Sequence, residues 1–151
     1  MPLQQTSGFR PITDSDLPNL LDLWVNSWSE VMPLIDFNKR RLSFTKILET
    51  HRANRFCVVG LFDVDLLGFI AVHPTTGDLD QICVRTDAKG SSAALALLNH
   101  AKVLSPECLT LKVNTVNLRA IRFYEREGFV RIGNGLNPHS GLPIFHYRWQ
   151  P

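Results

Sequence analysis

The chain has 151 residues, 44% of them hydrophobic and 20% charged, which suits a single domain over residues 1–151 that can bury a core of its own. Lys and Arg number 16 against 14 Asp and Glu, a net charge of +2, and the two signs are mixed along the chain, so composition marks neither a nucleic-acid surface nor a membrane patch. No apolar run approaches a membrane span and no basic-plus-apolar leader opens the chain, so a cytoplasmic protein is expected.

Met1 to Gly8 is polar and expected to fray. Phe9 to Ile12 reads as a short strand running into the turn signal Thr13-Asp14-Ser15-Asp16. A helix capped by Asp14 or Ser15 should follow, with Pro18 harmless in its first turn and Leu17, Leu20, Leu21, Trp24 and Trp28 as its apolar stripe. Trp28 to Pro33 is expected to leave the helix as a loop, and Asn38 to about Thr50 reads as a second helix. The basic run Lys39-Arg40-Arg41, the longest in the chain, falls there as a solvated face.

Three strands are predicted next, Phe56 to Phe62, Leu67 to Val72 and Leu79 to Val84, as an antiparallel meander. Ser91 to Leu104 is a crossover helix leading to a strand from Leu109 to Val113, so the strands on either side of it should run parallel. A short helix within Asn117 to Phe129 ends at Gly128, and Val130 to Leu136 pairs with Ile144 to Trp149 as a closing hairpin. Cys57, Cys83 and Cys108 lie in apolar strand-like runs without metal-ligand spacing and read as reduced core residues. No spacing supports pairing Cys83 with His73, His100, His139 or His146 as a nucleophile, and no metal is expected.

The segment from Val84 to Ala94 is the most informative. A strand ends, small residues fill the turn, and a helix begins, so unpaired N–H groups and the positive end of a helix dipole can meet an anionic ligand across Lys89, Gly90, Ser91, Ser92, Ala93 and Ala94. Small residues also open ordinary helices that pack closely on sheets.

Downstream, Asn117, Ala120, Phe123-Tyr124 and Gly128-Phe129 match the Asn, Ala, aromatic-Tyr and Gly-Phe positions of the GNAT superfamily of N-acetyltransferases, which the chain resembles from Phe9 to Trp149 in its order of elements. The family's loop pattern, Gln or Arg, two residues, Gly, one residue, Gly or Ala, falls on Lys89, Ser92 and Ala94, with Ser92 replacing the central glycine. The resemblance implies a mixed α/β (α+β) fold: a mainly antiparallel sheet of about seven strands with a parallel splayed pair, flanked by about four helices. It also implies acetyl-CoA as co-substrate, with its pantetheine arm in the gap of the splayed pair.

On the same footing, main-chain groups of Ile82, Cys83 and Val84 pair with the pantetheine amide, Asn117 contacts that arm, and the loop holds the phosphates with help from the Ser91 and Ser92 hydroxyls and the Lys89 charge. Tyr124 stands where the family places a general acid near the sulfur, and Asp80 where several members place a base. Trp28 and Glu30 border the acceptor pocket. Strand alternation sets Asp80 on one face with Ile82 and Val84, where burial would raise its pKa, the direction that suits a base near neutral pH. Packing alternatives stay open: a core tryptophan and a solvated glutamate at 28 and 30, a helix cap at Asn117, a half-buried aromatic at 124, a simple ion pair at Asp80. The acceptor is a small-molecule or protein amine, with no nucleic-acid or membrane partner expected, and the chain is a monomer or a homodimer. A catalytically weak relative that binds acyl-CoA for regulation is the alternative, suggested by Ser92.

Overall fold

Thr13 and Asp16 begin the first helix reciprocally, the Thr13 N–H and hydroxyl both donating to Asp16, and a 3-10 turn over Asp14–Asp16 leads into it. In the computed structural model, which describes residues 7–90 and 92–151, the elements run β1 (Ser7–Pro11), α1 (Leu17–Val31), α2 (Arg41–Ala53), β2 (Cys57–Asp63), β3 (Asp65–Val72), β4 (Leu79–Val84), α3 (Ala93–Leu104), β5 (Leu109–Asn114), α4 (Leu118–Arg126), β6 (Val130–Leu136) and β7 (Pro143–Trp149). The bounds of β4 and β6 are those the sequence predicts. The expected loop at Trp28 is corrected: the helix carries on to Val31, so Trp28 and Glu30 are helical, and its buried face is Leu20, Leu23, Trp24, Val25 and Ser27, with Leu17, Leu21 and Trp28 at its margin.

The strands form two antiparallel ladders, β1-β2-β3-β4 and β5-β7-β6. The parallel pair expected from the crossover is reduced to one bridge between Asp78 and Thr110, beyond which β4 and β5 separate. The bridge is reinforced by the Thr110 N–H donating to the Gly77 carbonyl at 2.8 Å. Gly77 has φ +78°, and a Cβ there would lie 2.2 Å from the Cys108 carbonyl oxygen, so only glycine lets the two segments close at this point. The result is a wedge, shut at Asp78 and open toward Val84 and Val113.

Two cores flank the first ladder. Ile70, Val72, Leu79 and Val84 face α3, where they pack on Leu97, Leu98 and Ala101, and this core continues through Leu111 and Val113 to Tyr124 and Tyr147. Phe69, Ala71 and Cys83 face the other way, onto Leu20, Trp24, Phe44 and Leu48 of α1 and α2, with Trp24 stacked on Phe44 at 4.2 Å. The wedge therefore opens onto the α1/α2 side and the α3/α4 side at once.

Candidate functional site

The wedge between β4 and β5 forms a groove of ≈ 770 Å³, lined by α1 at Ser27, Trp28 and Glu30, by β4 from Leu79 to Val84, by β5 from Leu111 to Val113, and by the start of α4. Because β4 is the last strand of its ladder and meets β5 only through the bridge at Asp78, its main-chain groups beyond that bridge have no strand partner among the described residues on the groove side. An extended amide chain can pair with such an edge.

Asp80 does not sit where strand alternation puts it. On passing from Ala71 to Val72 of β3, the partner on β4 moves from Gln81 to Leu79, so Asp80 is the extra residue of a β-bulge. Ile82 and Val84 keep their place in the α3 core and Leu79 joins them there, while Asp80 turns to α2, where His51 Nε2 lies 2.6 Å from its Oδ2. A bulge re-aims one side chain in this way. The expected rise in its pKa is corrected too: desolvation pushes it up, but the hydrogen bond and charge of His51, with Gln81 and Lys112, outweigh that and hold the carboxyl below its ordinary value. Asp78, next along, is raised, first by desolvation and then by the charge of Asp80.

Cys83 and Tyr124 both line the groove, and both are buried. Burial pushes the Cys83 thiol up to about 11, against the pull of Ser27 and Lys89, so it stays protonated and is no nucleophile at neutral pH. Burial, and then Cys83, raise the Tyr124 phenol as well, keeping it a neutral proton donor. Its ring is fixed between Phe123 at 5.4 Å and Phe129 at 5.5 Å.

Asn117 caps α4, its Oδ1 accepting from the Ala120 N–H at 3.3 Å, which is the packing alternative; its side chain also lines the groove, leaving the amide nitrogen for a ligand. At the rim Trp28 is half-buried against Phe37, and exposed Glu30 is met by Lys89, Nζ to Oε1 3.3 Å. Lys89 also reaches the Ser27 carbonyl at 3.3 Å. Its side chain therefore contacts α1, while its backbone remains part of the loop.

The loop itself has Gly90 at φ +85°, and Ser92 is exposed, with helical backbone and no side-chain bond capping α3. Ser91 lies outside the described residues. Arg119 of α4, which sequence reasoning passed over, lines the groove beside Gly90, its Nη2 3.3 Å from where a Cβ on that glycine would be. His51 was likewise missed, and neither has a local signal: both matter only through partners distant in the chain.

The model of the Acetyltransferase (GNAT) family matches residues 17–129, three-quarters of the chain. The chain belongs to the GNAT acetyltransferases. Its relatives include Peptidyl-lysine N-acetyltransferase YiaC of Escherichia coli K12, 28% identical over 135 residues that cover 89% of this chain and 91% of that protein. Among solved structures, PaiA N-acetyltransferase of Thermoplasma acidophilum in complex with coenzyme A superposes with a TM-score of 0.76 at 17% identity, covering 95% of this chain and 98% of that one. The apo form of YjaB from Escherichia coli gives 0.73 at 19%, covering 93% and 95%. These two likenesses speak to the fold. As a GNAT protein the chain is an acyltransferase whose co-substrate is acetyl-CoA.

The residues present fit that co-substrate. The unpaired edge of β4 suits the amides of a pantetheine arm, and small Ala93 and Ala94 at the N-terminus of α3 let a pyrophosphate approach main-chain N–H groups. Ser92 is exposed at the turn, and Arg119 stands beside Gly90.

Proposed function

We propose that this GNAT enzyme acetylates a primary amine of the lysine ε-amine type, entering from the α1/α2 side of the groove. The observation that carries the reading is the groove itself: open to both sides of the wedge, it has Tyr124 buried on one wall and the carboxylates Glu30 and Asp80 on the side facing α1 and α2. With Glu30 met by Lys89, the carboxylate of Asp80 favours a cationic acceptor over an anionic one. The name of the Escherichia coli relative, which acts on peptidyl-lysine, supports the same class.

When bound, acetyl-CoA supplies an activated acetyl thioester. The chain's own residues do the rest. The main chain from Ile82 to Val84 holds the pantetheine arm, with the Asn117 amide on its other flank. The N–H groups of Ser92 and Ala94 and the Arg119 guanidinium receive the phosphates, the cation expected at Lys89 being supplied from α4. Asp80 takes a proton from the acceptor's ammonium so that the amine can attack. Tyr124 gives a proton to the departing sulfur. Lys89 and Glu30 shape the acceptor rim.

A panel of lysine peptides, polyamines and amino sugars, followed by release of free thiol from acetyl-CoA, tests this. Turnover on lysine peptides above the other amines is expected. Acetyl-CoA binding without turnover on any amine would return the chain to the regulatory reading.

A further inference from the structure

His51 stands at the last turn of α2, and its contact with Asp80 joins positions 29 residues apart. Three independent features make that contact. The helix ends where the ring can turn to β4. The bulge brings Asp80 to the same side as α2. The ring is held on its own side by Phe56, centroid to centroid 4.2 Å, and Phe56 is backed edge-on by His73 at 5.2 Å. Both partners are shielded, His51 16% and Asp80 33% exposed by side chain. Gln81 Nε2 also donates to Asp80 Oδ2, at 3.2 Å, so that oxygen carries two bonds, whereas no hydrogen bond among the described residues reaches Oδ1.

We propose that His51 is a positioning residue for acetyl transfer: its Nε2–H holds the bulged Asp80 carboxylate by Oδ2, so that Oδ1 is left to take the acceptor's proton in the groove. This deepens the reading of Asp80 as proton acceptor and rests on it. A contact of 2.6 Å between a ring nitrogen and a carboxylate oxygen requires a proton between them, which fixes Nε2 as the protonated nitrogen in the neutral ring.

Without that donor the carboxylate is free to rotate, so the bond acts on kcat through the orientation of Asp80. The other charges around the pair are Asp78 on the approach to β4, Lys112 on β5 and His73 beyond Phe56; Lys112 and His51 act on both aspartates, His73 on Asp78.

The test compares His51→Gln, which keeps a donor in place of Nε2, with His51→Ala and with Asp80→Asn, measuring kcat and KM on a lysine peptide. The expected result is that His51→Gln retains kcat within about threefold, while His51→Ala loses about tenfold or more with KM for acetyl-CoA unchanged. Wild-type kcat in His51→Ala overturns the proposal, as does a loss in His51→Gln as large as that in His51→Ala. Should His51→Ala fail to fold, the kcat of His51→Gln decides together with nitrogen NMR of the native enzyme, where an Nδ1-protonated neutral ring would also overturn it. Asp80→Asn separates the two levels: wild-type activity there removes Asp80 as the proton acceptor, whereas loss of activity in Asp80→Asn beside unchanged kcat in His51→Ala removes only the role of His51.

Discussion

Lys89 Nζ lies 3.3 Å from Glu30 Oε1, so the residue that opens the phosphate loop has its charge committed to the helix that borders the acceptor rim. Lys89→Ala is accordingly expected to leave the dissociation constant for acetyl-CoA within about threefold. Arg119→Ala, which removes the cation beside Gly90, should weaken it by about tenfold or more, the worth of a charge-assisted hydrogen bond. Calorimetric titration measures both, and added salt should shrink the Arg119 effect because that guanidinium is exposed. The reverse ranking would put Lys89 back on the phosphates.

Tyr124→Phe should fold normally, since the ring keeps its contacts with Phe123 and Phe129. With the proton donor gone, kcat is expected to fall by roughly 10²-fold while KM for acetyl-CoA holds. Steady-state kinetics under conditions where chemistry limits the rate provide the check, and an unchanged kcat would leave Tyr124 a packing residue.

Ser92 is exposed and its hydroxyl caps nothing in α3, so it neither obstructs the turn nor is spent on the helix. Ser92→Gly is therefore expected to weaken acetyl-CoA binding, by roughly 1.5–3 kcal/mol if the hydroxyl bonds a phosphate oxygen. Tighter binding by the glycine variant would mean that serine is an obstacle after all.

Far from the groove, Arg10 grips Asp16 with two bonds of 2.7 and 2.8 Å, and Thr13 adds its N–H and hydroxyl. The Arg10 hydrogen bond, opposed by desolvation and assisted by Thr13, holds Asp16 well below the carboxylate range. A carboxyl whose pKa is lower in the folded than in the unfolded chain stabilises fully above the unfolded value, about 3.9, and loses that contribution as pH falls toward the folded value. Asp16→Asn should thus cost about 1–3 kcal/mol at neutral pH, and the gap to wild type should narrow below about pH 4. Urea melts across that range give the answer; a gap that stays constant would show that the cost is one of helix capping alone.

What the sequence made legible follows from what is local. The bounds of β4 and β6 are set by apolar or alternating runs between turn residues, and the cap at Asn117 with the stop at Gly128 delimits α4 from within nine helical residues. The end of α1 was missed because Pro33 signals a stop without saying how near the helix comes to it. Asp80 was misplaced because alternation assumes an unbroken ladder, and the bulge is set by how β3 and β4 register against each other. The contacts of Lys89 with Glu30 and of His51 with Asp80 join positions 59 and 29 residues apart, so no window along the chain contains either pair.

The closure at Gly77, Asp78 and Thr110 has a consequence for how a long, jointed donor gets in. A hole through the molecule would have to be threaded head first, with either the adenine or the thioester end squeezed past every wall residue. A fork closed only at its base asks for nothing of the kind: a slender chain can be laid sideways between the tines, from Val84 and Val113 inward, and lifted out the same way after reaction.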